Sequence, residues 1–240
     1  MKKILFAGLL LASLPVLAGG WEVVKGNGNL KKETRSATGY TAVHSAGAFD
    51  VDISYGSSNS ITIEADENLL PYIETEVNGN KLIIKNKKGY SLNSKNKMKV
   101  SVSLTKMTAV QLSGSGNIKG SGAFSNDGET EIGIAGSGDI DLSFGDIKSL
   151  EVKVSGSGNM HLKGKSTEKI NVGVSGSGNV EAYEVSANEV TARISGSGNV
   201  NVTASKSIDA SISGSGNVSY RGGATDVKSR ASGSGKVRKA

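Results

Sequence analysis

A hexapeptide of the form Ser/Ala-Gly-Ser-Gly-Asn/Asp/Lys-apolar starts at Ser113, Ala135, Ser155, Ser175, Ser195, Ser213 and Ser232, at spacings of 22, 20, 20, 20, 18 and 19 residues. A Gly-Ser tract met once reads as a flexible linker. A linker has no reason to return at a near-constant interval with an apolar residue behind it each time. The period therefore marks a repeated structural unit. The flanks say which kind. Before the motif, apolar and polar residues alternate in "LEVKVSGSG" from Leu150, "INVGVSGSG" from Ile170 and "VTARISGSG" from Val190. After it, alternation resumes in "NMHL" from Asn159 and "NVNV" from Asn199. Period two is the mark of a strand with one buried face. Each unit reads as strand, glycine corner, strand, polar turn, the turns including "KGKSTEK" from Lys163 and "TASKS" from Thr203.

One such unit cannot bury its apolar face, whereas stacked units can. Aligning the copies gives an inward row Leu112, Ile134, Val154, Val174, Ile194, Ile212, Ala231 and a second row Ile118, Ile140, Met160, Val180, Val200, Val218, Val237. Rows of β-branched residues suit the core of a solenoid. A 20-residue period suits a parallel β-helix, and a propeller blade needs about 40 residues or more. The fold class expected is all-β: a parallel β-helix with about 20-residue coils. The corner glycines would be Gly114 and Gly116, Gly136 and Gly138, Gly156 and Gly158, Gly176 and Gly178, Gly196 and Gly198, and Gly214 and Gly216. The residues that follow them, Asn117, Asp139, Asn159, Asn179, Asn199 and Asn217, would form an amide ladder and take up left-handed backbone.

Residues 106–240 thus hold seven coils. Residues 40–105 lack the motif but still read as β, with "FDVDIS" from Phe49, "SITIEA" from Ser60 and "KVSVSL" from Lys99 alternating. "NGN" at Asn78–Asn80 signals a hairpin between "IETEV" and "KLIIK", and "ENLLPYI" from Glu67 suits one helical turn. This region is expected to supply the N-terminal coils and cap of one domain spanning 40–240. Residues 19–39 are polar and aperiodic and read as a tether. In the last coil the inward positions weaken to Ser229 and Ala231, and Lys236, Arg238 and Lys239 cluster beyond them. Charge on a terminal edge would discourage end-to-end stacking, the alternative being a frayed tail.

Residues 1–18 read as a secretory signal: Lys2 and Lys3, an apolar run from Ile4 to Leu17, and small residues Val16 and Ala18 before the expected cut. Removing the two lysines lowers the formal net charge from +6 to +4. With acidic residues mixed throughout, that balance gives no ground for a nucleic-acid partner. No second long apolar stretch offers a transmembrane segment, so the expected destination is the periplasm, the cell surface or the medium. With no cysteine, order in an exported chain must come from the core and from repetition.

The order and spacing of these segments resemble the auto-transporter adhesin head domain, or head GIN domain, of bacterial envelope proteins. The resemblance rests on the SGSGN repeats, on "AFDVDISYG" from Ala48, on "ITIEADENLLPYIETEVNGNKLIIKNK" from Ile61, on "KVSVSLTKMTAVQLSGSGNI" from Lys99 and on "SYRGGATDVKSRASGSGKV" from Ser219. It implies a right-handed β-helix located outside the cytoplasm. It carries no catalytic residue over to this chain.

No nucleophile elbow, P-loop or His-Glu-x-x-His is present, there are only two histidines, and no cofactor is expected. The Gly-Ser-Gly stretches lack the nonapeptide period and the aspartates of a calcium-binding β-roll. One outward row carries chemistry: Lys119, Asp141, His161, Glu181, Asn201, Ser219, Arg238, with Asp139 two residues before Asp141. Stacked on adjacent coils, Asp139, Asp141, His161 and Glu181 are candidates for a divalent metal or an acid/base pair. The alternative is a ladder in which neighbouring strands carry compensating charges. Ser115, Ser137, Ser157, Ser177, Ser197, Ser215 and Ser234 add one hydroxyl per coil. That regular surface would suit a polysaccharide or another surface protein. Aromatics are sparse, and the sole tryptophan, Trp21, lies outside the repeats, so a sugar-stacking platform is not expected. The function expected is a non-enzymatic, adhesin-like binding module of the envelope. The alternatives are a β-helical carbohydrate-active enzyme and a structural envelope protein without a specific ligand.

Overall fold

The computed structural model describes residues 20–56 and 60–240. The proposed signal segment lies outside the described residues. The N-terminal region forms β1 (Glu22–Lys25), β2 (Leu30–Ser36), β3 (Ala42–Gly47), β4 (Asp50–Tyr55), β5 (Ser60–Asp66), β6 (Ile73–Asn78), β7 (Lys81–Asn86), β8 (Tyr90–Asn93) and β9 (Lys99–Leu104), with a 3-10 turn at Glu67–Tyr72. The motif region continues with β10 (Ala109–Gly114), β11 (Asn117–Ser121), β12 (Asn126–Gly136), β13 (Ile140–Phe144), β14 (Ile147–Gly156) and β15 (Asn159–Gly164). It ends with β16 (Thr167–Gly176), β17 (Asn179–Gly196), β18 (Asn199–Gly214), β19 (Asn217–Arg221), β20 (Asp226–Ser232) and β21 (Lys236–Lys239).

The alternation before and after each motif becomes two parallel strands that pair with the same strands of the next coil. The expected rows are in register without exception. Leu112 pairs with Ile134, then Val154, Val174, Ile194, Ile212 and Ala231. Ile118 pairs with Ile140, then Met160, Val180, Val200, Val218 and Val237. From Leu112 to Ile212 and from Ile118 to Val218 these side chains are buried. Burying such a side chain contributes about 1.5–3 kcal/mol, and the rows repeat that gain in every coil. The molecule is a β-solenoid of parallel coils. The final coil is ordered rather than frayed, since β20 pairs with β18 and β21 with β19.

The N-terminal coils depart from chain order. β3 and β4 form a coil directly against β10 and β11. The next coil outward is made by β7 and β9, which pair with the far sides of β3 and β4. The chain thus passes outward through β5 and β6 before returning to start the motif coils. The hairpin at Asn78–Asn80 joins β6 to β7 antiparallel, with Gly79 at φ +61°. β5 pairs antiparallel with β9, and β2 with β5, closing that end of the core together with the buried Leu69 and Leu70 of the 3-10 turn.

The span 19–39, expected to be a tether, holds two paired strands among its described residues. β1 lies parallel to β8, and β2 runs antiparallel to β5 over the whole of Leu30–Ser36. Backbone pairing to a free edge holds these strands, so they need no apolar alternation of their own. Arg35 fastens β2 by donating to the carbonyl oxygens of Ile73 (2.6 Å) and Leu70 (3.0 Å).

Candidate functional site

The two glycines of each motif do different work. At Gly156 the backbone has φ +121°, a region that L side chains rarely adopt, and this turns the strand. At Gly158 a Cβ would collide with the carbonyl oxygen of Gly138 on the neighbouring coil and a methyl of Ile134. The first glycine bends the chain, and the second lets adjacent corners approach. The intervening serines, from Ser115 to Ser234, are all exposed.

The residue after the second glycine forms the expected ladder. Asn159 donates from its backbone nitrogen (2.9 Å) and Nδ2 (3.0 Å) to Oδ1 of Asp139. Asn179 Nδ2 donates to Asn159 Oδ1 at 2.8 Å, Asn199 Nδ2 to Asn179 Oδ1 at 2.9 Å, and Asn217 Nδ2 to Asn199 Oδ1 at 3.0 Å. Lys236 closes the series by donating its backbone N–H to Asn217 Oδ1 at 3.2 Å. The ladder begins one coil earlier than the motif does. Asn117 Nδ2 donates to Asp50 Oδ1 at 2.8 Å. Asp50 was not legible as a member because Ala46-Gly47-Ala48-Phe49 stands where Ser-Gly-Ser-Gly would mark the corner. The left-handed backbone expected of the asparagines does not occur. Among the described residues, every positive φ belongs to a glycine. The asparagines instead begin extended strands, because the preceding glycine completes the turn.

The charged row is also in register: Lys119 beside Asp141, Asp141 beside His161, His161 beside Glu181, and Glu181 beside Asn201. Asn201 Nδ2 donates to Glu181 Oε2 at 2.7 Å, and further along Arg238 Nε donates to Ser219 Oγ at 3.1 Å. Asp139 is committed to the amide ladder and does not join Asp141. Among the described residues, no three His, Asp, Glu or Cys side chains converge where a metal ion could sit. Asp141, His161 and Glu181 follow one another on successive coils.

Two shallow grooves flank the serine corner. One, of about 460 Å³, runs between the amide and charge ladders from Asn117 to Glu181. The other, of about 390 Å³, is lined by Ser155, Ser175 and Ser195 and bounded by Lys153 and Arg193. These cations belong to strands two coils apart, with Gly173 in register between them, leaving the groove floor open. Alignment of the motif alone did not single out this groove, although the row Lys153, Gly173, Arg193 is readable in the sequence.

Where the motif coils meet the N-terminal coils, His44 Nε2 lies 3.0 Å from Ser113 Oγ. Burial and the nearby Lys81 ammonium push the His44 imidazole below its ordinary pKa. Lys81 Nζ donates to Gln111 at 3.0 Å beside it. The Asp66 carboxylate, fully buried, binds the loop after β8. Burial opposes its charge, but donation from Lys95 N (2.8 Å), Asn96 Nδ2 and Ser94 Oγ (3.2 Å) outweighs that and holds the carboxyl below the usual range.

Comparison with known proteins supports the same architecture. A solved structure from Bacteroides fragilis NCTC 9343, named a "putative adhesin", shares 21% identity with a TM-score of 0.82, covering 90% of this chain and all of its own. One from Parabacteroides merdae ATCC 43184, named likewise, shares 24% at TM-score 0.67, covering 91% of this chain and 99% of its own. A third, from Parabacteroides distasonis ATCC 8503, named a "putative lipid binding protein", shares 26% at TM-score 0.69, covering 91% of this chain and all of its own. No curated protein matches. Residues 39–224 match the family described as "Putative auto-transporter adhesin, head GIN domain", and the chain belongs to that family.

Proposed function

We propose that this protein is an exported, non-enzymatic binding module of the bacterial envelope and that its ligand is an extended polysaccharide laid along the serine corner. The observation that carries this reading is the corner itself. It presents an exposed hydroxyl once per coil and a ladder amide in five of the seven motif coils, at a spacing of ~4.8 Å, and both neighbouring grooves run across several coils. A surface of identical, shallow contacts holds a small molecule weakly. It holds a repeating polymer well, because contacts along one chain add. The match to an adhesin-named family supports binding as the role.

The test is a glycan array probed with the purified protein and with the triple variant Ser157→Arg, Ser177→Arg, Ser197→Arg. All three side chains point into solvent, but three arginines on adjacent coils repel one another, so a cooperative melt of the variant is required before its binding is compared with the parent's. Its retention on the glycans that capture the parent should fall at least tenfold. Equal retention by parent and variant, or capture of no polysaccharide at all, overturns the assignment.

A further inference from the structure

The two-stranded ribbon at the cap end has a face that the solenoid does not use. β1 and β8 run parallel, with Glu22 beside Tyr90, Val23 beside Ser91, Val24 beside Leu92 and Lys25 beside Asn93. Alternation splits the ribbon into two faces. Val24 and Leu92 are partly buried against the core. Trp21, Val23 and Lys25 therefore point away from it, and Trp21 and Val23 are 65% and 57% exposed. Glu22 donates its backbone N–H to Gly89 O at 2.8 Å, which sets Trp21 beside the exposed turn carrying Lys87 and Lys88. At the other end, Gly26 donates to Asn93 O at 2.9 Å, which brings Lys25 near the exposed Lys95. An exposed indole and valine thus lie between Lys88 at one end of the ribbon and Lys25 and Lys95 at the other.

The charge is uncompensated. Lys31, Lys32, Lys85, Lys97 and Lys99 of the same cap each have a carboxylate partner within 4.0 Å. Lys25, Lys88 and Lys95 have none among the described residues, and Glu22 is the one carboxylate on β1, whereas Lys87 Nζ lies over the Tyr90 ring, 5.8 Å from its centroid, on the side of Val24 and Leu92.

The geometry points to a membrane contact: Trp21 and Val23 enter the headgroup region of an anionic lipid bilayer while Lys25, Lys88 and Lys95 engage its lipid phosphates. The composition of the patch separates this partner from a protein. Protein interfaces are depleted in lysine, and their tryptophans fill pockets on the partner. A protruding tryptophan ringed by long, flexible lysines is what a bilayer surface accepts, with the indole at headgroup level and the ammonium groups in water. The patch lies beside the coil of β7 and β9, at the end of the solenoid opposite β20 and β21. A bilayer bound there leaves the motif coils projecting away from it.

Trp21 is the sole tryptophan, so its emission reports from this patch alone. The full chain is titrated with vesicles of phosphatidylglycerol and phosphatidylcholine in equal parts, and separately with phosphatidylcholine vesicles. The expected result is a shift of the emission to shorter wavelength and flotation with the anionic vesicles, both weakened by salt. Each lysine removed should cost about fivefold in partitioning, so Lys25→Ser/Lys88→Ser should lose over tenfold. Trp21→Ala/Val23→Ala, read by flotation, should lose a comparable amount. All four residues are exposed, so unchanged thermal melts confirm folded variants. An unmoved emission overturns the proposal. So does flotation that ignores charge, salt and both variants, which would assign the binding to the apolar run at residues 4–17. An emission shift that follows protein concentration without vesicles also overturns it and identifies a second copy of the chain as the partner.

Discussion

Two glycines five residues apart, on either side of one corner, should respond oppositely to the same substitution. At Gly178 a Cβ would meet the carbonyl oxygen of Gly158 and a methyl of Val154, and neither can withdraw without parting the coils. Gly178→Ala is therefore expected to destabilise by about 2–3 kcal/mol. At Gly173 a Cβ meets nothing within 4 Å and the backbone is ordinary strand. Gly173→Ala should stabilise by about 0.5–1 kcal/mol, chiefly by restricting the unfolded chain. Urea midpoints of the two variants against the parent check both signs. A neutral Gly178→Ala would mean that the corners are less tightly stacked than described. The same contrast explains why glycine content alone is a poor guide to order here.

At the scale of the element, the apolar rows run two rungs past the first motif, and one rung is irregular. The row of Leu112 continues to Ser45 and then Ile84, and that of Ile118 to Val51 and Val100. Ser45 is fully buried, and its hydroxyl has no hydrogen-bond partner among the described residues. Ser45→Ala removes an unsatisfied polar atom at almost no cost in volume, and a gain of about 1 kcal/mol is expected in equilibrium unfolding. A loss of stability would show that the hydroxyl has a partner. This rung also shows where sequence reasoning stops. From residue 106 onward, each strand pairs with one about 20 residues away, so a single alignment orders the core rows, the amide ladder and the charged row together. Before that, β7 pairs with β3 across an outward excursion of the chain, and the corner of the β3–β4 coil holds Phe49 in place of its second glycine. The phenyl ring is wholly buried, so the same backbone corner is built from different chemistry and its motif vanishes. β1 and β2 left no trace for another reason. Edge pairing holds them, and "LKKETRS" shows no buried face. Of the candidate site, the positions along the coils were legible. Which side chains donate to which was not, because Asp139 could equally have faced Asp141 until its hydrogen bonds to Asn159 were seen.

At the scale of the molecule, each motif coil contacts mainly its two neighbours, so stability should be close to a sum of coil and interface contributions. An internal coil should then be removable if the joint preserves register. Residues 177–196 are the suitable segment. Deleting them joins Gly176 to Ser197, two equivalent positions of the corner, and stacks the coil of 157–176 on that of 197–214. Val174 would meet Ile212, and Met160 would meet Val200, as apolar rows require. The second corner also fits. Four residues separate Leu162 from Thr167, as four separate Ala182 from Ala187, and the latter pair already stacks on Val202 and Ala204. The stacking of Arg221 over the Tyr183 ring, at 4.0 Å, would be lost, a cost of about 0.5–1 kcal/mol at an exposed site. The shortened protein is expected to keep its β circular dichroism and a single cooperative urea transition, with a slope lower by about one tenth in proportion to the surface removed. Deleting only 177–186 gives the opposite result, since half a coil puts the strand leading into Gly196 where a strand leaving a corner belongs, and cooperative unfolding should disappear. If removal of the whole coil is as damaging as removal of half, stacking between neighbours does not account for the stability of the rod, and its two ends must be coupled over a longer range.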